Sequence, residues 1–351
     1  METPLKHVPA LRGGALALLA AGLFGISTPL VQFFGVGLGA FTTAALLYAG
    51  AAAIGAVLRL PVALEARLQR RDLGRLLAMA GFGAVIGPVA LAWGLQRTSG
   101  TSASLMLTLE ALFTAVLAWK LYHETMDRRV WSAMMLLLAG GVVLVLDQGR
   151  QGGVQLAGMM AVLLATAAWG VDNTLSRGVA DRDPGQVVLV KATLGSFATT
   201  ALAAVMGEPL PSVTAALGLL AVGATGYGLS LRFYLLAQRA FGAARTGSVF
   251  AFAPFIGALL AFALGERSAS ALMGLGGLLM LVGVMLHLME THEHPHSHEV
   301  MQHEHAHRHD DGHHNHLHDP MPVGTHSHGH QHEPMRHAHA HVPDSHHPHP
   351  H

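Results

Sequence analysis

Ten apolar stretches, each long enough to cross a lipid bilayer, fill this chain up to about residue 290. A helix of about 20 apolar residues spans the hydrocarbon core of a membrane. Stretches such as GALALLAAGLFGI and LMGLGGLLMLVGVML lack the polar face that a soluble amphipathic helix needs. The sequence therefore predicts an all-α integral membrane protein, with spans near residues 14–35, 38–58, 75–96, 101–121, 130–147, 154–176, 186–206, 213–236, 245–265 and 269–289.

Composition supports this class. Half of the chain is apolar, 12% is charged and 41 residues are glycine, proportions that are unusual for a soluble domain. Cysteine is absent, which excludes disulfides and thiolate metal sites. The first apolar run is long and lacks a convincing cleavage pattern, so we expect a retained span rather than a signal peptide.

The apolar region consists of two halves that resemble each other at a fixed offset of 142 positions. Similarity at a constant offset indicates internal duplication, which predicts five-helix repeats at residues 10–148 and 152–290. Because five is odd, the second repeat enters the membrane from the opposite side and is inverted. Inverted repeats are typical of carriers that alternate between inward-open and outward-open shapes. The matching pairs are Gly81/Gly223, Gln96/Gln238, Arg97/Arg239, Gly100/Gly242, Phe113/Phe255, Leu117/Leu259 and Glu124/Glu266.

The distribution of Lys and Arg predicts the orientation. Basic residues concentrate in the loops on the side of the N-terminus, and only Arg97, Arg150 and Arg267 lie on the other side. The positive-inside rule then places both termini in the cytoplasm. The basic residues on the N-terminal side are Lys6, Arg12, Arg59, Arg67, Arg70, Arg71, Arg75, Lys120, Arg128, Arg129, Arg177, Arg182, Arg239 and Arg245.

Four positions in the predicted spans qualify as charges within the membrane: Glu110, Asp172 with its neighbour Asn173, Lys191 and Arg232. A charge at the bilayer centre costs about 3 kcal/mol on insertion scales, so each needs a partner, a wet cavity or a function. They are candidates for substrate binding or ion coupling. The alternative is that they form fixed ion pairs, for instance Asp172 with Lys191, that only hold helices together.

Glu110 is the sharpest candidate, because its repeat counterpart is the apolar Phe252 and the charge breaks the symmetry of the halves. A carboxyl group in this position is suited to couple transport to a proton gradient. Trp169, beside the polar pair of the sixth span, is a candidate to line the central path. Glu124 and Glu266 close their spans symmetrically, which favours structural ends paired with neighbouring arginines.

Several fragments resemble a known family: TSASLMLTLEALFTAVLAWKLYHE, WGVDNTLSRGVADRDP and GLSLRFYLLAQRAFGAARTGSVFAFAPFIGALLAFALGE. They are similar to the EamA-type carriers of the drug/metabolite transporter superfamily, over roughly residues 10–290. The resemblance implies an inner-membrane carrier, often an exporter of amino acids, metabolites or drugs, with its site between the repeats. One departure is Ala111, where the family commonly has a proline that Pro254 keeps in the ninth span. This departure predicts a less kinked first half.

The tail, residues 291–351, contains 23 histidines among 61 residues. It has too little apolar surface to form a core, which predicts disorder. Histidines at intervals of one and two residues can assemble a nitrogen shell for zinc, nickel, cobalt or copper, so the tail is expected to bind a divalent transition metal. The candidate ligands are His292, His294, His296, His298, His303, His305, His307, His309, His313, His314, His316 and His318.

Two functions remain open from the sequence. The first is a carrier that moves a small molecule or ion, with divalent metal as cargo or regulator and no required cofactor. The second is a membrane-anchored metal buffer or sensor that acts through the tail. No nucleophile elbow, phosphate loop or paired-carboxylate motif points to an enzyme, and no basic stripe points to nucleic acid. Besides its substrate and the lipid bilayer, we consider a second copy of the chain, in a homodimer, as a partner.

Overall fold

The computed structural model describes residues 8–59, 66–122, 128–241, 243–266 and 270–288, together with four short strands in the tail. Within these residues, nine helical stretches are long and apolar enough to cross a membrane, and a shorter apolar helix follows them. The predicted all-α membrane fold is confirmed. In chain order, spans 1 to 10 are Gly13–Phe34, Ala40–Val57, Arg70–Leu95, Gly100–Leu121, Arg128–Gln151, Gly153–Val179, Pro184–Val205, Val213–Ala240, Thr246–Ala263 and Ala271–His287.

Several spans consist of consecutive helical segments. Span 1 belongs to the longer helix Val8–Phe34, and the helix of span 10 extends to Leu288. Span 6 is the helix Gly153–Ser176 followed by the 3-10 turn Arg177–Val179. The helical segments of span 3 are Arg70–Asp72, Leu73–Met79, Ala80–Ile86 and Gly87–Leu95, and those of span 4 are Gly100–Met106 and Leu109–Tyr122. The segments of span 8 are Val213–Val222, Gly223–Leu229 and Ser230–Phe241, and those of span 9 are Ala243–Phe250 and Ala253–Ala263.

The interruptions recur at matching places in the two halves. Spans 3 and 8 each contain a π-helical segment, Ala80–Ile86 and Gly223–Leu229. Span 4 breaks between Met106 and Leu109, much as span 9 breaks before Ala253. Span 4 is therefore interrupted although Ala111 stands where a proline is common in the family that the sequence resembles. The break in span 4 needs no proline, because the amides of Thr108 and Glu110 bond to carbonyls three residues back, at 3.0 Å each, in 3-10 fashion.

The two halves pack against each other as a pseudo-two-fold pair. Span 2 packs against span 7, span 5 against span 10 and span 4 against span 9. Span 1 contacts spans 8 and 9, and its counterpart, span 6, contacts spans 3 and 4. Exchanging each span for its counterpart returns the same set of contacts, as expected for inverted repeats around a common central region.

In the tail, the structure has four strands where the sequence predicts disorder. β1 (Glu293–Ser297) pairs antiparallel with β4 (Arg336–Ala340), and β2 (Met301–His307) pairs antiparallel with β3 (His326–His332). The overlooked signal is histidine at every second position, because a period of two is typical of a strand. Histidine faces histidine in both registers, as at His294/His339 and His303/His330.

Candidate functional site

A buried polar cluster lies where spans 4, 6 and 7 meet. Asn173 Nδ2 of span 6 donates a hydrogen bond to Glu110 Oε1 of span 4. One residue earlier in span 6, Asp172 Oδ2 accepts from Lys191 Nζ of span 7. Glu110, Asp172 and Lys191 are all buried, and Asn173 is half-buried. The structure thus brings four of the six predicted site residues together.

The break in span 4 places Glu110 in the first turn of the helix Leu109–Tyr122. The N-terminal end of a helix carries a partial positive charge and favours a carboxylate there. Among the described residues, Glu110 has no ion-pair partner, and its bond to Asn173 crosses from the first half to the second. An unpaired carboxylate is costly to bury, so Glu110 is suited to exchange a proton or a cationic group.

Trp169, the fifth predicted residue, joins this cluster through a freed backbone carbonyl. Its Nε1 donates to the carbonyl of Gly83 at 3.0 Å, and the hydroxyl of Tyr48 donates to the same oxygen. Gly83 lies in the π-helical segment of span 3, and such segments are frequent at functional sites. A Cβ at Gly83 would lie 2.3 Å from the Asp172 carboxylate, so only glycine permits this approach.

Aromatic rings from both halves surround Trp169. Phe24 of span 1 packs edge-on against Trp169 at 5.6 Å between centroids, and against Tyr227 at 5.9 Å. Tyr227, in the π-helical segment of span 8, also packs against Tyr48 at 5.6 Å. Edge-to-face contacts at these separations are favourable. The cluster therefore has an apolar aromatic side as well as a charged one.

The positions that correspond to this polar cluster in the other repeat carry no polar residues. At the offset of 142 positions, Glu110 corresponds to Phe252, Asn173 to Val31, Asp172 to Leu30 and Lys191 to Ala49. Every counterpart is apolar. The pseudo-symmetric fold is therefore retained while the chemistry is concentrated in spans 4, 6 and 7.

Arg232, the sixth predicted residue, does not contact this cluster through any hydrogen bond or ion pair among the described residues. Its Nη1 donates to the carbonyl of Leu58, just after span 2, at 2.9 Å. A basic side chain at a helix C-terminus satisfies a free carbonyl. Glu266, which we expected to pair with arginines, accepts hydrogen bonds from backbone amides at the start of span 4. Its repeat counterpart Glu124 lies outside the described residues.

Sequence reasoning missed Tyr48, Gly83, Phe24 and Tyr227. Tyr48 carries a weak signal as a hydroxyl within an apolar span, but nothing in the sequence marks which carbonyl it reaches. Among the residues whose side chains are described, no group of three or more His, Asp or Glu can hold a metal ion. Of the proposed tail ligands, His292, His298, His309, His313, His314, His316 and His318 lie outside the described residues.

A family model described as the EamA-like transporter family matches residues 11–146 and again residues 156–289. The chain belongs to the EamA-like transporter family. Two matches at this spacing confirm the resemblance that the sequence fragments suggested. Membership in this family indicates a multi-pass membrane transporter and points to transport rather than catalysis.

Relatives of this EamA-like transporter agree with that assignment. A protein of Methanothermobacter thermautotrophicus (strain Delta H), named an uncharacterized transporter, is 30% identical over 230 residues. The alignment covers 63% of this chain and 66% of the relative, just under two thirds of its length. A solved crystal structure with 20% identity superposes with a TM-score of 0.55, covering 80% of this chain and 95% of that one. At this identity the likeness concerns the fold alone.

Proposed function

We propose that this EamA-like transporter is a secondary carrier that exports a small organic solute by alternating access, with Glu110 as the coupling residue. The observation that carries the proposal is the hydrogen bond between Glu110 of the first half and Asn173 of the second. Alternating access moves the two repeats relative to each other. A polar bond across their interface is therefore placed where the protonation or cargo state of one carboxyl group can bias that movement.

The charges of the cluster favour a proton or a cationic group as the coupled species. The cluster holds two carboxylates, Glu110 and Asp172, and one ammonium group, that of Lys191, which pairs with Asp172. The Asp172–Lys191 pair is internally balanced, so the role of that pair is to fix span 6 against span 7 and hold Asn173 in place. Glu110 supplies the remaining negative charge, and the rings of Trp169 and Tyr227 supply apolar surface for an organic cargo.

A divalent metal suits this central site less well. Transition metals prefer several nitrogen, sulfur or carboxylate ligands in a defined geometry. The described spans bring together no such set. We therefore propose that metal acts on the tail and is not the cargo of the membrane domain.

Proton movement in proteoliposomes tests the transport proposal. Vesicles loaded with the pH-sensitive dye pyranine are challenged with a panel of amino acids and organic amines, and separately with nickel, cobalt, zinc and copper. At least one organic solute is expected to move protons with the parent chain and with Glu110→Asp, but not with Glu110→Gln. An equal response from Glu110→Gln would remove Glu110 from the coupling step. A response to metals alone would favour metal cargo.

For the tail, we propose a divalent metal-binding role beside the carrier. The registers that place His303 opposite His330 and His305 opposite His328 support it, because facing residues of antiparallel strands lie about 5 Å apart. Deleting residues 291–351 separates this role from the second candidate function. A carrier keeps its solute flux after the deletion, whereas a membrane-anchored metal buffer or sensor loses its whole activity.

We also propose the cytoplasmic membrane as the location, with both termini in the cytoplasm. The excess of Lys and Arg on the N-terminal side supports this orientation. The orientation is measured by introducing single cysteines into successive loops. In intact cells, a membrane-impermeant maleimide labels only the cysteines that face the outside. Labelling of the loop that contains Arg67 from outside the cell would reverse the assignment.

A further inference from the structure

Two glutamates of the second half bind the helix N-termini of the first half. Glu266, just after span 9, accepts hydrogen bonds from the amides of Gly100 and Thr101 at the start of span 4, at 2.9 Å each. Its Oε2 also accepts the Thr101 hydroxyl at 3.0 Å. Glu208, just after span 7, accepts from the amides of Phe41 and Thr42 at the start of span 2, at 3.2 and 2.6 Å.

Glycine makes both approaches possible. A Cβ at Gly39 would lie 1.9 Å from Glu208 Cδ, whereas a Cβ at Gly100 would lie 2.2 Å from Gln32 Oε1 and 3.2 Å from Glu266 Oε2, so the second approach is tight. The first four amides of a helix have no partner within the helix, and its N-terminus attracts negative charge. Each carboxylate thus binds amides that have no partner within their own helix.

The two contacts lie at the same end of the bundle, opposite the chain's N-terminus, because spans 2 and 4 begin there. At the other end, the start of span 7 is capped from within its own repeat. Asp183 Oδ1 accepts from the amide of Gly185 at 2.9 Å. In the part of the chain that the structure describes, the starts of spans 2 and 4 are thus capped by carboxylates of the other repeat, whereas the start of span 7 is capped by a carboxylate of its own repeat.

We infer that Glu208 and Glu266 form a latch, hereafter the glutamate latch, that closes the end of the transporter opposite its termini. The inference rests on the proposed alternating access. Opening that end separates the second-half loops from the starts of spans 2 and 4 and breaks all five hydrogen bonds. Both carboxylates then lose these amide contacts, so the latch opposes opening at that end and leaves the opposite end unaffected.

The absence of cysteine from the chain permits a sided test. Ser104 lies one turn below Gly100, is 1% exposed, and its Oγ has no hydrogen-bond partner among the described residues. Ser104→Cys therefore reports opening at the latch end. Ser176→Cys, also 1% exposed, reports the opposite end at the close of span 6. Each reporter is reacted with a small maleimide in detergent-solubilised full-length protein.

In the Ser104→Cys background, Glu266→Gln is expected to raise the labelling rate about tenfold, the change that loss of one charge-assisted hydrogen bond produces. The rate at Ser176→Cys is expected to stay unchanged. Asp183→Asn is the matched control, because it neutralises a capping carboxylate at the other end and asparagine caps helices equally well. It should leave the Ser104→Cys rate unchanged.

Three results would overturn the latch: no rise at Ser104→Cys, an equal rise at both reporters, or an equal rise with Asp183→Asn. An equal rise at both ends indicates general loosening rather than a gate. Labelling needs no cargo, so a failed latch is distinguishable from a failed transport proposal. The latter is tested by the Glu110→Gln proton response.

Discussion

Removing one partner of the Asp172–Lys191 ion pair is expected to destabilise the protein strongly. The two side chains are only 5% and 4% exposed. Lys191→Met leaves the carboxylate of Asp172 buried without its counter-charge, and the second oxygen of that carboxylate has no hydrogen-bond partner in the described part of the chain. Breaking a buried pair in this way costs about 3–5 kcal/mol. Asp172→Asn, which leaves the ammonium group alone, is expected to cost a similar amount.

Removing both charges is expected to restore stability. The double variant Asp172→Asn/Lys191→Met buries no charge, and replacement of a buried pair by neutral groups is often close to neutral. The expected coupling energy between the two positions is then the sum of the two single costs, about 6–10 kcal/mol in magnitude. The free energy of unfolding, measured by denaturant titration of all four proteins in detergent micelles, gives this value.

The same double variant separates a positioning role from a transport role. Because we assign coupling to Glu110, the double variant should regain solute-driven proton movement together with stability. A double variant as unstable as the single ones would refute the ion-pair explanation. A stable double variant without proton movement would show that the pair acts in transport beyond its effect on stability, either at the cargo or through the position of Asn173.

Three further outcomes are expected. Gly83→Ala places a Cβ 2.3 Å from the Asp172 carboxylate and should destabilise the protein by about 1–3 kcal/mol in the same denaturant titration. The control Gly81→Ala should not destabilise the protein, because its Cβ would meet nothing within 4 Å. Trp169→Phe removes one donor to the Gly83 carbonyl and should cost about 1 kcal/mol, less than Trp169→Ala, which also empties the aromatic cluster. Deletion of residues 291–351 should abolish high-affinity zinc binding in calorimetry while solute-driven proton movement persists; zinc binding that survives the deletion would place the metal site in the membrane domain.

The spans and the repeat were predictable because they depend on length and apolar content, which the sequence displays directly. The Asp172–Lys191 pair was also predictable, since a buried charge needs an opposite charge and only a few lie inside the spans. The partner of Glu110 was not. To predict that Asn173 is the partner of Glu110, one must know how span 6 is rotated about its axis and where span 4 breaks. The break arises from local 3-10 hydrogen bonds and is not marked by a proline in the sequence.

The role of Glu266 shows a second limit. Its symmetric position suggested a structural end paired with arginines, but its carboxylate also accepts hydrogen bonds from the amides of Gly100 and Thr101. A free helix N-terminus is invisible to a search for charged residues, because its donors are backbone groups present at every position. The same limit applies to the π-helical segment at Gly83. The Gly83 carbonyl is available to Trp169 because the Gly87 amide bonds five residues back to Phe82 and Pro88 has no N–H.

Coupling at Glu110 is tested most directly by comparing two modes of transport in the same vesicles. The solute with the largest proton response is measured in exchange, with equal solute on both sides, and in accumulation driven by a pH gradient. Glu110→Gln is expected to retain exchange and lose accumulation, because binding and movement persist without the group that carries the proton. Accumulation equal to that of the parent chain would contradict the assignment of coupling to Glu110.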